Sequence, residues 1–241
     1  MPVVKIEEGQ HRAVVVMGKV PRPGRVKTRL VPALSAETAC TIYEAFLADV
    51  FALVDRAARD LEFARVFACG LSSGDALADA QALVPAGWEV IVQEGKDLAE
   101  RIVNARRAAG GRETVVIGSD SPTMPLARFT EAFAALESGT NVIGPTLDGG
   151  YYLIGLSDNG VALLESIPWS TNQVMEATRA VAKRQRIPLV ELALGYDIDL
   201  VEDLPRAARD AVSGMALQTA RVLTDLGFVF GNGPRGERGN D

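Results

Sequence analysis

Histidine and cysteine are scarce in this sequence, which has one histidine, His11, and two cysteines, Cys40 and Cys69. The histidine precedes the first apolar run, so no catalytic triad that depends on histidine is expected. The two cysteines fit neither a metal-ligand spacing nor a disulfide framework, which favours a reducing, cytoplasmic compartment. Carboxylates and basic side chains are therefore left as the candidates for chemistry.

Long apolar runs and an excess of positive charge are also missing. No stretch approaches the roughly 18 apolar residues of a membrane-spanning helix, and the N-terminus lacks the apolar segment of a signal peptide. The 25 basic and 31 acidic residues give a net charge of −6, which argues against general nucleic-acid binding. With 241 residues that are 48% hydrophobic, the chain can bury a core without a disulfide or a metal. These features exclude a membrane, collagenous or disulfide-scaffold protein and leave the chemistry open.

Short β-branched runs alternate with longer segments that have apolar residues at helical spacing. The predicted strands are 13–17, 65–68, 89–92, 114–117, 141–143, 151–156 and 188–192. The predicted helices are 35–58, with Ser35 as N-cap, 73–83, 97–109, 125–136, 172–183 and 202–212, with one or two more over 212–228. This alternation predicts a mainly parallel α/β sheet with helices on both faces and ligands at the carboxyl ends of its strands.

One main domain is expected, because no internal linker is long enough to separate two. We place it at residues 13–213, after an N-terminal extension over 1–12. A helical extension over 214–230 and a Gly-rich, disordered tail over 231–241 complete the predicted organisation.

A basic loop follows the first predicted strand. Residues 18–30 read Gly-Lys-Val-Pro-Arg-Pro-Gly-Arg-Val-Lys-Thr-Arg-Leu. Five of them are cations: Lys19, Arg22, Arg25, Lys27 and Arg29. Gly18 and Gly24 allow the main chain to approach a ligand closely, and the cations suit a polyphosphate. The loop has neither familiar glycine-rich nucleotide motif, and the alternative is a solvated basic turn.

Two groups of carboxylates follow later predicted strands. Asp120 ends the apolar run 114–118, where it can hold Mg²⁺ or Mn²⁺ or simply form a helix cap. Asp197 and Asp199 alternate in a short extended run, so they face the same side. Asp203 is expected to cap or charge the start of the following helix.

The basic loop and the carboxylates resemble a bacterial family of small GT-A-like transferases called transferase 1, rSAM/selenodomain-associated. The matching loop residues are Lys19, Pro21, Pro23, Gly24, Val26, Lys27, Thr28, Arg29 and Leu30. More distantly, the loop is similar to those of phospholactate guanylyltransferases and molybdenum-cofactor nucleotidyltransferases. The resemblance covers roughly residues 13–208. It implies a Rossmann-like, three-layer α/β/α sandwich of the nucleotide-diphospho-sugar transferase type, with a mixed, mainly parallel sheet.

The resemblance also implies a nucleotide site and a metal site. The implied nucleotide-binding residues are Gly18, Lys19, Gly24, Lys27, Thr28, Arg29, Gln93, Asp97 and Arg101. Asp120 and Asp199 would share one Mg²⁺ or Mn²⁺, and Asp120 and Lys27 would act in catalysis. The string at 93–101 departs from the family by having Lys96 and Ala99 where glycines are expected, so Asp97 could instead be a helix N-cap.

An acceptor side is implied by the strings at 144–152 and 169–171. Its residues are Asp148, which is a candidate base, Gly149, Gly150, Tyr151, Trp169 and Ser170. From the residues alone, Asp-Gly-Gly reads equally as a hairpin turn, and Ser170 or Thr171 as a helix cap.

The function that follows is a metal-dependent transferase that uses an activated nucleotide and an unknown small-molecule acceptor. The dense cations favour nucleotidyl transfer from a nucleoside triphosphate. Glycosyl transfer from a nucleotide sugar is the alternative, and a non-catalytic nucleotide-binding module is the third.

Overall fold

The computed structural model describes residues 11–110, 113–213 and 216–228, in which seven strands form one sheet. The strands are β1 (Arg12–Lys19), β2 (Ala64–Gly70), β3 (Glu89–Val92), β4 (Glu113–Gly118), β5 (Asn141–Pro145), β6 (Tyr151–Leu156) and β7 (Leu189–Glu191). Their order is β3-β2-β1-β4-β6-β5-β7, and among these described strands only β6 runs antiparallel to its neighbours. The predicted mixed, mainly parallel sheet is confirmed, and every predicted strand is present.

Seven α-helices connect and cover the strands in the described residues. They are α1 (Ala36–Asp60), α2 (Leu77–Gln81), α3 (Leu98–Ala108), α4 (Ala127–Glu137), α5 (Val174–Gln185), α6 (Leu204–Ser213) and α7 (Leu217–Asp225). The predicted N-cap is confirmed, because the Ser35 hydroxyl accepts a hydrogen bond of 3.0 Å from the Thr38 amide. Helix α2 is shorter than predicted because Asp75 closes a turn, accepting from the Ser72 amide at 2.8 Å.

The core has two layers, one on each face of the sheet. On β1, Val14 and Val16 face the layer formed by α1 and α4, while Ala13 and Val15 face the layer formed by α3 and α5. This alternation along a buried central strand is what places helices on both faces. The predicted three-layer α/β/α sandwich is therefore confirmed.

Helices α6 and α7 pack beside α1 around a third apolar cluster that includes Leu204 and Leu223. The N-terminus of α7 is held by the buried Asp49 of α1, whose carboxylate accepts from the Gln218 and Thr219 amides at 3.1 and 2.6 Å. The proposed domain divisions stay predictions, and their parts over 1–10, 214–215 and 229–241 lie outside the described residues. No helix in the described part of the chain is long and apolar enough to cross a membrane.

Candidate functional site

Three segments of the chain meet at the carboxyl edge of the sheet. The basic loop leaves β1 there, Asp120 lies just beyond β4, and the segment after β7 crosses the same edge. The Ile198 amide of that segment donates to the Asp120 carbonyl at 3.0 Å, which fixes Asp199 beside Asp120. The segments enclose a cavity of about 360 Å³, here called the Lys27 cavity. Its lining comprises Met17, Gly18, Lys19, Arg25, Val26, Lys27, Thr28, Arg29, Tyr43, Gln93, Leu98, Arg101, Ser119, Asp120 and Asp199.

The Lys27 amino group lies between Asp120 and Asp199, the two carboxylates that the family resemblance predicts to share a metal ion. Its Nζ is 2.9 Å from Asp120 Oδ1 and 2.8 Å from Asp199 Oδ1, and it donates to the Ile198 carbonyl at 2.6 Å. The side chain is only 4% exposed, so burial works to lower its pKa. The attraction of both carboxylates outweighs burial, and the pKa of Lys27 is raised above its ordinary value.

Cations outnumber carboxylates in this cavity. Its basic lining residues are Lys19, Arg25, Lys27, Arg29 and Arg101, and its acidic ones are Asp120 and Asp199. Five positive charges against two negative ones leave an excess of three, and Arg29 keeps 69% of its side chain exposed. Arg22 is directed elsewhere, since it pairs with Asp75 at 3.0 Å and ties the loop to the turn before α2. The cavity is therefore suited to a polyanion.

Glycines in the basic loop serve different purposes. A Cβ on Gly18 would lie 2.9 Å from the Phe67 ring and 3.0 Å from the Tyr43 hydroxyl, so packing alone demands a glycine there. Gly24 has a φ of 74° and open space around it, which makes it the residue that turns the loop.

The string at 93–101 divides between the cavity and the helix that follows it. Gln93 lines the cavity, and its amide nitrogen donates to the carbonyls of Gly18 and Ala68 at 3.0 and 2.8 Å. Arg101 also lines it, with its Nε bound to the Gly95 carbonyl at 3.1 Å. Asp97 instead caps α3 by accepting from the Glu100 amide at 2.9 Å, as the helix-cap alternative predicts.

Tyr43 is a lining residue that the sequence does not reveal. Its hydroxyl accepts from the Lys19 amide at 2.8 Å and from the Ser119 hydroxyl at 3.2 Å, which joins the ends of β1 and β4. Burial is the main cause that raises the pKa of Tyr43 well above its usual range, so it remains a neutral phenol. In the sequence it occupies an ordinary apolar position of a helix, and nothing local distinguishes it.

An acidic cavity of about 180 Å³ adjoins the Lys27 cavity and is lined by Asp148, Asp197, Asp199 and Asp203 among others. The pKa of Asp197 is raised to about 6, mainly by burial and further by the negative charges of Asp120, Asp148 and Asp199. The Ser121 hydroxyl donates to Asp197 at 2.6 Å. Asp203 accepts from the backbone amides of Asp199 and Leu200 at 2.9 and 2.8 Å, so it positions Asp199 as well as starting a helix.

The predicted acceptor residues fall into two places. Asp148 sits in the loop of the β5–β6 hairpin, where its carboxylate accepts from the Thr146 hydroxyl at 2.5 Å and the Gly150 amide at 3.1 Å. Gly149 has a φ of 88°, and a Cβ on it would lie 2.1 Å from the Asn172 carbonyl. The hairpin interpretation of Asp-Gly-Gly is confirmed, and Asp148 still lines the acidic cavity.

Tyr151 and Trp169 do not line the Lys27 cavity. Their rings meet edge to face with centroids 6.0 Å apart, and both pack in the apolar cluster against α5. Ser170 is exposed, with a φ of 64°. The neighbouring Thr171 hydroxyl accepts from the Gln173 amide at 3.2 Å just ahead of α5.

Comparisons with known proteins agree with this architecture. Residues 53–171 match the model of the DUF2064 family, described as uncharacterized proteins conserved in bacteria. A protein from Desulfovibrio desulfuricans G20, described as a candidate nucleotide-diphospho-sugar transferase, is similar with a TM-score of 0.77 and 25% identity. That match covers 90% of this chain and 98% of the other. No curated protein matches the sequence.

A second solved structure is the CTP complex of CMP:2-keto-3-deoxy-manno-octonic acid synthetase. Its TM-score is 0.51 at 10% identity, covering 86% of this chain and 99% of the other, and this similarity concerns the fold alone. Membership of the narrower rSAM/selenodomain-associated family stays a prediction. The chain has the fold of nucleotide-diphospho-sugar transferases and nucleotidyltransferases, and its segment 53–171 carries the DUF2064 match.

Proposed function

We propose that this protein is a metal-dependent transferase that uses an activated nucleotide, with nucleotidyl transfer from a nucleoside triphosphate as its favoured reaction. The observation that carries the proposal is the Lys27 cavity, in which five cations surround two carboxylates at the carboxyl edge of the sheet. Parallel α/β sheets bind ligands at this edge. A triphosphate matches the excess positive charge better than the diphosphate of a nucleotide sugar does.

The carboxylate pair fits a divalent cation that is held jointly with the nucleotide. Asp120 Oδ1 and Asp199 Oδ1 converge on one point, the Lys27 nitrogen, at 2.9 and 2.8 Å, so a divalent cation held by both would displace the Lys27 amino group from between them. Mg²⁺ binds one or two carboxylates and takes its remaining oxygens from substrate phosphates and water. Among the described residues, no group of three or more histidine, cysteine or acidic side chains could hold a metal ion, so the nucleotide would supply those oxygens.

The metal, when bound, supplies stabilisation of the negative charge on the leaving phosphate. Lys27 would exchange part of its carboxylate contact for phosphate oxygens, and Arg29 and Arg101 would hold the remaining phosphates. Asp148 lines the adjoining acidic cavity and is the candidate base for an acceptor hydroxyl.

Glycosyl transfer from a nucleotide sugar is the second candidate. The same cations and carboxylates would hold its diphosphate leaving group, and the similar protein from D. desulfuricans carries a description of that kind. A binding module without catalysis is less well supported, because phosphate binding alone does not require two carboxylates inside the cationic cavity.

A thermal-shift panel tests the proposal. Nucleoside triphosphates and nucleotide sugars are each added with and without Mg²⁺ or Mn²⁺, and a ligand of the folded protein raises Tm by an amount that grows with the logarithm of its concentration over Kd. We expect a triphosphate to give the largest rise, and only with metal. Turnover with a metabolite panel should then release pyrophosphate. Release of nucleoside diphosphate from a nucleotide sugar, without pyrophosphate from any triphosphate, would favour glycosyl transfer instead.

A further inference from the structure

A third cavity, of about 510 Å³, opens on the α1 and α4 face of the sheet and is here called the Arg206 cavity. It is larger than the Lys27 cavity and shares no lining residue with it. The two are linked through the acidic cavity. Arg29 and Asp199 line both the Lys27 and the acidic cavities, and Tyr196 and Arg206 line both the acidic and the Arg206 cavities. The acidic cavity therefore adjoins both the polyphosphate site and this third cavity, with Tyr196 and Arg206 forming the wall shared with the latter.

The walls of the Arg206 cavity combine apolar surface with guanidinium groups. Met124, Leu126 and Leu194 line it together with the ring of Tyr152. Its charged lining residues are Arg56, Arg128, Arg206 and Asp210. Arg206 pairs with Asp210 at 3.5 Å and Arg128 pairs with Glu131 at 2.5 Å, so these guanidinium groups are partly neutralised while they line the cavity. Such walls suit a molecule with an apolar body and an anionic group.

A network of polar contacts fixes the side of the cavity nearest the carboxylates. The Arg206 guanidinium lies 3.7 Å above the Tyr196 ring, and its Nε is 3.5 Å from Asp210. The Tyr196 hydroxyl donates to Asp210 at 2.8 Å and accepts from Thr123 at 3.2 Å. Arg206 is thus stacked and oriented while 45% of its side chain remains exposed, which leaves guanidinium surface for a ligand.

The first turn of α4 adds to the positive potential of this cavity. Pro125 and Leu126, which directly precede α4, and Arg128 of its first turn line the cavity, and the N-cap residue Leu126 provides no side-chain acceptor. The amide dipoles at the start of an eleven-residue helix therefore act on the same space as the arginines.

We infer that the Arg206 cavity binds the acceptor of the transfer reaction, and that this acceptor is a small molecule with a carboxylate or phosphate on an apolar body. The identification of this ligand as the acceptor rests on the proposed function, whereas the anion-binding site rests on the cavity alone. An acceptor anchored at Arg206 would extend its nucleophilic group toward the adjoining acidic cavity with Asp197 and Asp199. The Arg206 cavity, rather than the Tyr151–Trp169 pair, would then set acceptor specificity.

Titration calorimetry tests the anion site. The probes are phenyl phosphate and benzoate, and benzyl alcohol is the neutral molecule with a similar aromatic ring. We expect both anions to bind and benzyl alcohol to bind more weakly. Arg206→Gln and Arg128→Gln should each weaken phenyl phosphate about tenfold, the loss of one charge-assisted hydrogen bond. Leu194→Trp, at a position with 60% exposure on the cavity wall, should block binding sterically without a charge change.

Two arginine variants separate this cavity from its neighbour. Arg184→Gln removes a charge from the exposed surface of α5 and is the control that should leave phenyl phosphate affinity unchanged, whereas Arg101→Gln removes a charge from the Lys27 cavity and reports any binding there. Loss of binding in Arg101→Gln with full binding in Arg206→Gln would place the anion in the Lys27 cavity and overturn the inference. Absence of binding by either anion at millimolar concentration would also overturn it.

The failure of the proposed function has a different signature. If no nucleotide raises Tm while phenyl phosphate binding still depends on Arg206, the transferase proposal fails and the acceptor assignment falls with it. If a triphosphate raises Tm with metal but Arg206→Gln binds phenyl phosphate normally, the transferase proposal stands and the acceptor site is wrong.

Discussion

At the scale of single residues, the candidate site depends on Lys27. Its backbone has a φ of 45°, a left-handed conformation that costs a non-glycine residue about 1–2 kcal/mol. Its buried amino group neutralises Asp120 and Asp199, which would otherwise repel each other. Such strain persists where the surrounding contacts hold it, and it is common at binding sites.

Removing the Lys27 charge should weaken nucleotide binding more than removing an exposed cation of the same loop. Lys27→Met keeps the buried stem, so we expect a loss of roughly ten- to a hundredfold in triphosphate affinity, from charge-assisted bonds worth about 1.5–3 kcal/mol. Arg29→Ala should cost less than tenfold because Arg29 is largely exposed. Calorimetric titration measures both, with Arg184→Ala as the control. Unchanged affinity in both loop variants would remove the loop from the site.

Asp197 should make the protein less stable at neutral pH than in mild acid. Its pKa is about 6 in the folded protein against an ordinary value of 3.8, so the folded state binds the proton more tightly. The resulting stability is present below about pH 3.8 and is lost as the pH rises through about 6.

The free energy of unfolding of Asp197→Asn, taken relative to that of the parent, should therefore increase from pH 4 to pH 7.5 by up to about 3 kcal/mol. Urea titrations at both pH values measure this difference, and the comparison between the two proteins cancels other titrating groups. An equal difference at both pH values would show that neither burial nor the acidic neighbours Asp120, Asp148 and Asp199 raise the pKa of Asp197.

At the scale of elements, side chains from one element fix the ends of others. Asp49 of α1 caps α7 across the chain, and Tyr43 of the same helix joins the ends of β1 and β4. Helix α1 thus connects the C-terminal part of the fold to the candidate site. Local sequence signals predict caps such as Ser35, but they do not reveal a cap supplied 170 residues earlier.

Loss of the Asp49 cap should destabilise the protein without affecting the Lys27 cavity, which Asp49 does not line. Asp49→Ala leaves the amides of Gln218 and Thr219 without their acceptor, and we expect a loss of about 1–2 kcal/mol. Asp49→Asn should retain part of that stability through its carbonyl oxygen. Urea unfolding measures both, with the exposed Asp60→Ala as control. Equal stability of Asp49→Ala and the parent would show that the cap contributes nothing.

At the scale of the whole molecule, the sequence predicts the sheet better than it predicts the site. Strands such as β1 and β4 are buried apolar runs, so their position and the edge where Lys27, Asp120 and Asp199 meet follow from periodicity and chain alternation. The contact of the Lys27 amino group with both carboxylates depends on a crossing by the segment after β7, which no local pattern encodes.

Other parts of the site escaped prediction for the same reason. Tyr43 and Arg206 read as ordinary helix residues, and only tertiary packing brings them to the cavities. Trp169 reads as a platform for a ligand; in the structure it is partly buried against Tyr151 and α5, and the ligand role stays a prediction. Asp203 reads as a helix-start residue, but its bond to the Asp199 amide means that it also positions one member of the carboxylate pair.

The most direct test of the account is the metal dependence of triphosphate affinity in Asp120→Asn, Asp199→Asn and the double variant, measured by calorimetry with and without Mn²⁺. The parent and the control Asp60→Asn should bind the triphosphate more tightly with Mn²⁺. Each single variant should lose that gain, and the double variant should be scarcely worse, because the two carboxylates act as one unit. Full retention of the Mn²⁺ effect in both single variants would contradict a shared metal at the Lys27 cavity.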